Sequence, residues 1–125
     1  MSRTANLNPF MQPQIPKTSA YTVVAVTDSG KIFSSKLDGM VFTLPSIAIG
    51  ENYGFVNTAE DGEAKMSISP AALDSITYAG DATDDKDLIN TKATQKKGDA
   101  VFLASLGSTV TWMPVLVRGV WAKEA

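Results

Sequence analysis

The chain has 125 residues, a length typical of one folded domain, and it contains neither cysteine nor histidine. Without cysteine there is no disulfide or thiolate site, and without histidine the usual general base and commonest metal ligand are missing. Eleven Lys and Arg against thirteen Asp and Glu give a net charge of −2, without the concentrated positive charge that nucleic-acid binders use. The composition therefore predicts one domain with no cofactor, no metal site and no nucleic-acid partner.

The N-terminus lacks the apolar core of a signal peptide. No apolar run approaches the ~20 residues that span a bilayer as a helix. We therefore expect a soluble protein with no membrane contact, made and assembled in a cytoplasm.

Residues 1–19 differ from the rest of the chain because they hold three prolines and show no strand or helix periodicity. Proline fixes φ and removes a backbone donor, so this segment is predicted to be an extended arm outside the sheet. A disordered tail is one interpretation. Four large apolar side chains favour the other, an arm that docks on a partner subunit through Leu7, Phe10, Met11 and Ile15.

The β-domain is predicted to cover residues 20–125 and to begin with a β-branched run after Tyr21 that ends at a turn signal at 28–30. Short strands are predicted at 31–35 and 40–44, the second with alternating faces. Single helical turns are predicted at 45–50 and after Ser69, where proline follows a capping residue.

The clearest hairpin signal lies between residues 52–58 and 64–69. Both runs alternate apolar with small or polar residues, and Asp61-Gly62 supplies the positive φ that short hairpin loops need. The pattern predicts that these two strands pair with each other.

The closing stretch, residues 98–121, contains both tryptophans and three apolar runs separated by turn signals at 98–99, 106–108 and 113–114. Such runs predict successive antiparallel strands. With weaker strands at 75–79 and 88–95, the chain is predicted to be all-β, with about nine or ten short strands and no helix longer than a turn. The expected fold is a single compact β-sandwich, jelly-roll-like domain or squashed barrel, with the extended N-terminal arm.

Few residues in this pattern suggest chemistry. The acidic loop with Asp81, Asp84, Asp85 and Asp87 lacks the spacing of a calcium loop and is interpreted as a solvated loop. No nucleophile has an activating neighbour, so the protein is predicted not to be an enzyme.

Trp112 and Trp121 are candidates for a sugar-stacking platform, but tryptophan in an alternating strand favours the core or a subunit seam. We expect further core or seam residues at Val101, Leu103, Val115 and Val117.

In sequence order, residues 20–121 resemble a family of small structural proteins of tailed phages. The matching residues are Tyr21-Thr22-Val23, Asp28-Ser29-Gly30-Lys31, Thr43-Leu44-Pro45, Gly50 with Tyr53, Phe55 and Val56, Gly98-Asp99-Ala100-Val101 with Leu103, and Gly119-Val120-Trp121. The chain departs from that pattern at Gly54, inside a strand, and in a longer acidic insert at 80–87. The arm at 1–19 lies outside the matched region.

This resemblance implies a capsid decoration (cement) protein, a β-domain homotrimer that binds the major capsid protein on the outer surface of the phage head and stabilises the expanded head. Its location would be the virion. The alternative is a receptor- or glycan-binding module of a tail fibre or spike, which would require Trp112 or Trp121 to be exposed.

Overall fold

The computed structural model describes residues 14–48 and 50–125 of the chain. These residues form eleven strands and one short 3-10 turn, Lys92–Thr94. The strands are β1 Gln14–Pro16, β2 Tyr21–Thr22, β3 Ile32–Ser35, β4 Met40–Thr43, β5 Asn52–Asn57, β6 Met66–Ser69, β7 Ser75–Ile76, β8 Leu88–Asn90, β9 Asp99–Ala104, β10 Thr111–Arg118 and β11 Trp121–Lys123.

The strands form two packed sheets. One has six strands in the order β1-β3-β5-β9-β10-β7, and the other has five in the order β11-β8-β6-β4-β2. This confirms the predicted all-β class and is the arrangement of a β-sandwich, with eleven strands where nine or ten were expected. The additional strand is β1, which lies in residues that were assigned to the N-terminal arm.

The core lies between the sheets because strand side chains alternate between faces. Phe33, Phe42 and Phe55 meet at its centre with ring centroids 5.0–5.9 Å apart, and all three are fully buried. In β4 the buried positions are Met40 and Phe42, as the predicted alternation requires. Aromatic pairs at these distances stabilise the packing beyond the area they bury.

The predicted hairpin between β5 and β6 is wrong, because the two strands belong to opposite sheets. β5 pairs with β3 and β9, whereas β6 pairs with β4 and β8. Gly62 does turn the chain with φ +74°, as expected. After β5 the chain crosses to the opposite sheet instead of returning beside β5. Alternating residues and a turn signal therefore did not determine which strand pairs with β5.

The N-terminal arm was predicted to lie wholly outside the sheet, and this is wrong for its last residues. Gln14–Pro16 forms β1, an edge strand parallel to β3, and Lys17 extends the pairing with an N–H that donates to Ser34 O at 2.8 Å. An edge strand needs only one line of hydrogen bonds, so it tolerates Pro16. Residues 1–13 lie outside the described residues.

In the closing stretch, β9 and β10 form the expected antiparallel pair across a turn at Leu106-Gly107. The predicted break at Met113-Pro114 is wrong, because β10 runs through Pro114 with only a shift of register before Leu116. β11 is not a third neighbour in this series, since it pairs with β8 in the opposite sheet. Neither segment predicted to hold a single turn is a helix in the described residues, but each contains an i→i+3 hydrogen bond: Asp74 N donates to Ala71 O at 2.9 Å, and Glu51 N donates to Ala48 O at 3.3 Å.

A buried polar cluster connects the two sheets. Asn90 on β8 accepts from Asn57 Nδ2 of β5 at 2.9 Å, and its own amide donates to the Asp99 carboxylate of β9 at 3.1 Å. Gly119 passes against Asp99 with φ +93°, and a Cβ there would clash with that carboxylate. Because buried polar groups need partners, this cluster fixes how the sheets face each other.

Candidate interaction surface

Both tryptophans lie in the core and not on the surface. Trp112 is fully buried beside Tyr53, with ring centroids 5.5 Å apart, and Trp121 is buried with its Nε1 donating to Arg118 O at 2.9 Å. A sugar-stacking platform needs an open indole face. The structure therefore contradicts the exposed tryptophan on which the glycan-binding alternative depends.

The buried acids serve the fold's hydrogen bonding. The Asp28 carboxylate accepts from Tyr21 Oη at 2.7 Å, from Val24 N at 2.8 Å and from Lys31 Nζ at 3.0 Å. Burial raises the pKa of Asp28, but these donors outweigh it and leave the pKa below its ordinary value. The Glu51 carboxylate accepts from the buried Tyr53 hydroxyl, and burial followed by this bond raises the pKa of Tyr53.

The acidic loop does not assemble a cation site. Among residues 14–48 and 50–125, no three acidic side chains converge in a way that could hold a metal ion. Asp81 instead accepts from Thr83 N at 2.8 Å, an ordinary turn contact. Burial raises the pKa of Asp87, and burial lowers the pKa of Lys123, whose Nζ donates to the carbonyl of Ile76 at 2.6 Å.

The strongest interaction surface is the second half of β10 and the turn after it. We call Val115, Leu116, Val117 and Val120 the β10 strip; each is between 38% and 58% exposed. Leu116 pairs with outward-facing Phe102 and Val117 with inward-facing Val101, so the strip is apolar on both faces. Val115 and Val117 are thus not core residues, contrary to the first of the two roles predicted for them.

The same segment also forms a sheet edge without a partner strand among the described residues. β7 pairs with β10 only at Thr111 and Trp112, and the edge beyond Met113 meets no other strand in the part of the chain that the structure describes. An exposed edge with large apolar side chains is a ready template for another chain. A second subunit or a strand from a partner could cover the apolar side chains and pair with the free strand edge.

A second apolar point lies at the tip of the loop between β2 and β3. Val26 is 79% exposed and adopts φ +66°, a region that β-branched residues rarely enter. The Asp28 contacts described above hold this loop in place. Because strained backbone persists only where its surroundings enforce it, Val26 is presented on a fixed turn.

The third surface is a shallow apolar depression on the outer face of the six-stranded sheet, here called the outer groove. Its volume is about 300 Å³, and it is lined by Gln14, Ile32, Ser34, Val56, Thr58 and Phe102. Gly54 makes room for it, since a Cβ there would come 2.8 Å from the Phe102 ring. The groove therefore depends on a glycine inside a central strand.

The predicted partner-binding residues are placed only in part. Leu7, Phe10 and Met11 lie outside the described residues. Ile15 lies on β1 and packs, half-buried, against the chain's own core, so its apolar contact is intramolecular.

Sequence reasoning identified the first of these features only in part and missed another. The dense run of valine and leucine in the β10 strip was interpreted as core or subunit seam, because the extent of the neighbouring strand could not be predicted. Asp28 was interpreted as an ordinary turn acid, and nothing local indicated that a tyrosine seven residues earlier would reach it.

Comparison of the sequence with protein-family models and with curated proteins finds no match. No helix among the described residues has the length and apolar character needed to cross a membrane.

Proposed function

We propose that the protein is a non-enzymatic decoration (cement) protein that binds the major capsid protein on the outside of a tailed-phage head and stabilises the expanded head. The observation that carries this proposal is the β10 strip, an apolar, edge-exposed segment suited to a protein neighbour. The Asp28 and Glu51 carboxylates, which are hydrogen-bonded within the fold, and the burial of both tryptophans favour a structural role over a catalytic or glycan-binding one.

In this proposal the β10 strip is the seam of a homotrimer. Three copies bring together apolar surface that a single chain exposes, and burying it favours association by roughly 25 cal/mol per Å² of apolar area removed from water. Trimerisation also presents three N-terminal arms, so that their joint binding gains avidity without any new type of contact.

Stabilisation of the head then follows from linkage. A protein that binds the expanded lattice and not the unexpanded one stabilises the expanded state by RT ln(1 + [L]/Kd) per site. Leu7, Phe10 and Met11 are proposed to make the capsid contact, with Arg3 as the only charged side chain in residues 1–13. No covalent chemistry is needed.

The test is co-sedimentation with expanded and with unexpanded tailed-phage heads assembled from the major capsid protein that the proposal predicts to be encoded beside this gene. We expect binding to expanded heads only, and weaker binding for Val115→Asp, which places a charge on the most exposed valine of the strip. Val110→Asp is the matched control, because Val110 is also an exposed valine but lies outside the strip. Equal binding to both kinds of head, or glycan-array binding without head binding, would refute the proposal.

A further inference from the structure

We infer that the β10 strip of one copy packs into the outer groove of the next copy, so that the trimer closes through a head-to-tail contact between two different surfaces. The inference rests on the proposed function, whose trimer seam it extends from the strip alone to the strip and the groove. The occupant of the outer groove is then a second copy of this chain.

The first observation is that the outer face of the six-stranded sheet lacks charge. The outward positions of β3, β5 and β9 carry no charged side chain; they are Ile32, Ser34, Asn52, Gly54, Val56, Ala100, Phe102 and Ala104. The solvent face of an antiparallel or mixed sheet ordinarily shows polar residues. Ile32, Val56 and Phe102 are only partly buried, so each has apolar surface that a partner can cover.

The second observation is that the groove and the β10 strip belong to one continuous surface. Leu116 of the strip pairs with Phe102, a residue of the groove lining. From Phe102 the same row continues through Gly54 to Ile32, which also lines the groove. A neighbour that covers the strip on this face therefore meets the groove as well.

The third observation is that the strip cannot fill the groove of its own chain. Strands lie about 4.8 Å apart, so three spacings place Ile32 roughly 14 Å from Leu116 along this row. Both residues are fixed in strands of the same sheet. The groove has a volume of about 300 Å³, which is room for a large aliphatic side chain. The strip of a second copy can supply that side chain.

The symmetry of the proposed trimer favours contact between strip and groove. In a two-fold dimer the same patch lies on both sides of the contact, whereas a closed ring of three joins two different patches on each copy. Three strips could meet one another directly only at the three-fold axis, and each groove would then stay uncovered. Contact between strip and groove covers both apolar surfaces of every copy.

Val115 is the residue of the strip best placed to enter the groove. It lies at the register shift between Pro114 and Leu116 and has no partner on β9. Such irregularities in a strand change the direction in which a side chain points. Val115 is 58% exposed, the largest exposed fraction in the strip. Because the groove lining contains no charged residue, the contact buries no unpaired charge.

The experiment is cross-linking between two single-cysteine variants, which is clean here because the chain has no cysteine of its own. Val115→Cys places a thiol on the strip, and Ser34→Cys places one in the groove lining. The two full-length variants are mixed, allowed to exchange subunits and treated with a short bismaleimide. We expect covalent dimers from the mixture and roughly tenfold less product from either variant alone, because only the mixture holds a strip thiol beside a groove thiol.

A second pair of variants tests the groove without a cross-linker. Ser34→Trp fills the groove and should raise the dissociation constant of the assembly roughly tenfold or more, because the strip no longer fits. Thr43→Trp is the matched control, since Thr43 is also half-buried on an outward strand face but lies in the opposite sheet. It should leave the dissociation constant unchanged. Circular dichroism verifies that both variants fold.

Three results would overturn the inference. If Val115→Cys alone cross-linked as strongly as the mixture, the strips would meet one another and not the groove. An assembled wild type without the mixed cross-link, or an assembly that Ser34→Trp leaves intact, would exclude the groove and leave the trimer in place. A monomeric wild type would refute the trimer and this contact together, whereas co-sedimentation with heads tests capsid binding separately.

Discussion

The two halves of β10 have similar composition and opposite environments. Trp112 at its start pairs with Ile76 of β7 and is fully buried, whereas Val115, Leu116 and Val117 at its end have no strand partner on the β7 side and are exposed. Hydrophobicity does not distinguish the halves. The length of β7 does, because it ends after pairing with two residues of β10.

This difference explains why the molecule has a surface suited to partners at all. Where a sheet continues, apolar residues stabilise the fold. Where it stops, the same residues are available for association. Substitutions in the first half should therefore affect stability, and substitutions in the second half should affect assembly.

The largest expected effect is at Trp112. Trp112→Ala should lower the free energy of unfolding by about 3–5 kcal/mol, since it leaves a cavity beside Tyr53. Chemical denaturation followed by circular dichroism measures the loss. Val115→Ala, in the other half of the strand, is the control and should stay within about 0.5 kcal/mol. Equal effects at the two positions would remove the distinction between the halves.

The next-largest effect is expected at Asn90, in the buried polar cluster that connects the two sheets. Asn90→Ala should cost about 1–3 kcal/mol for each group it leaves unpaired, because Asn57 and Asp99 lose a buried partner. Thermal and chemical denaturation measure the loss. Thr91→Ala, on the exposed neighbour of Asn90, is the control and should be close to neutral. If Asn90→Ala were also neutral, the cluster would not contribute to sheet pairing.

A third prediction concerns pH. The pKa of Asp28 is lowered in the folded state, so its stabilisation is present above the unfolded pKa and disappears as pH falls through the folded pKa. Asp28→Asn should therefore cost about 1.5–3 kcal/mol at pH 7. The difference from the wild type should shrink below about pH 4, near the unfolded value. Denaturant titrations from pH 3 to pH 7 measure it, and a difference that did not vary with pH would contradict the role of the charged carboxylate.

The smallest effect on stability is expected in the β10 strip. Val115→Asp should change the unfolding free energy of the isolated chain by no more than about 0.5 kcal/mol, because Val115 is 58% exposed. In the same variant, light scattering should show the mass falling from three chains to the 13.3 kDa of one. Val110→Asp should leave the mass unchanged. A wild-type protein that is already monomeric would refute the trimer seam.

The all-β class and most strand positions could be predicted because alternation and turn residues are local signals. Strand partners could not. Tyr53 and Phe55 indicated a strand at 52–57, but nothing in that segment specifies that its neighbours are β3 and β9 instead of the next strand in the chain. Pairing depends on burial across the whole sandwich, a property of distant residues.

The candidate surface could be predicted even less. A run such as Val115–Val117 has the same composition whether it is covered or open, so its exposure depends on where β7 ends. The outer groove likewise depends on Phe102 lying over Gly54, residues that are 48 positions apart. Composition did limit the chemistry, because without cysteine or histidine few catalytic or metal sites are available.

From β3 to β6, consecutive strands alternate between the two sheets, and this has a consequence for folding. β3 pairs with β5 and β4 with β6, so each pair joins strands separated by a strand of the opposite layer. No hairpin within this region can act as a local nucleus, because no two consecutive strands from β3 to β6 pair with each other. Folding dominated by such non-local pairing takes roughly milliseconds to seconds, and the two layers should unfold in a single cooperative transition.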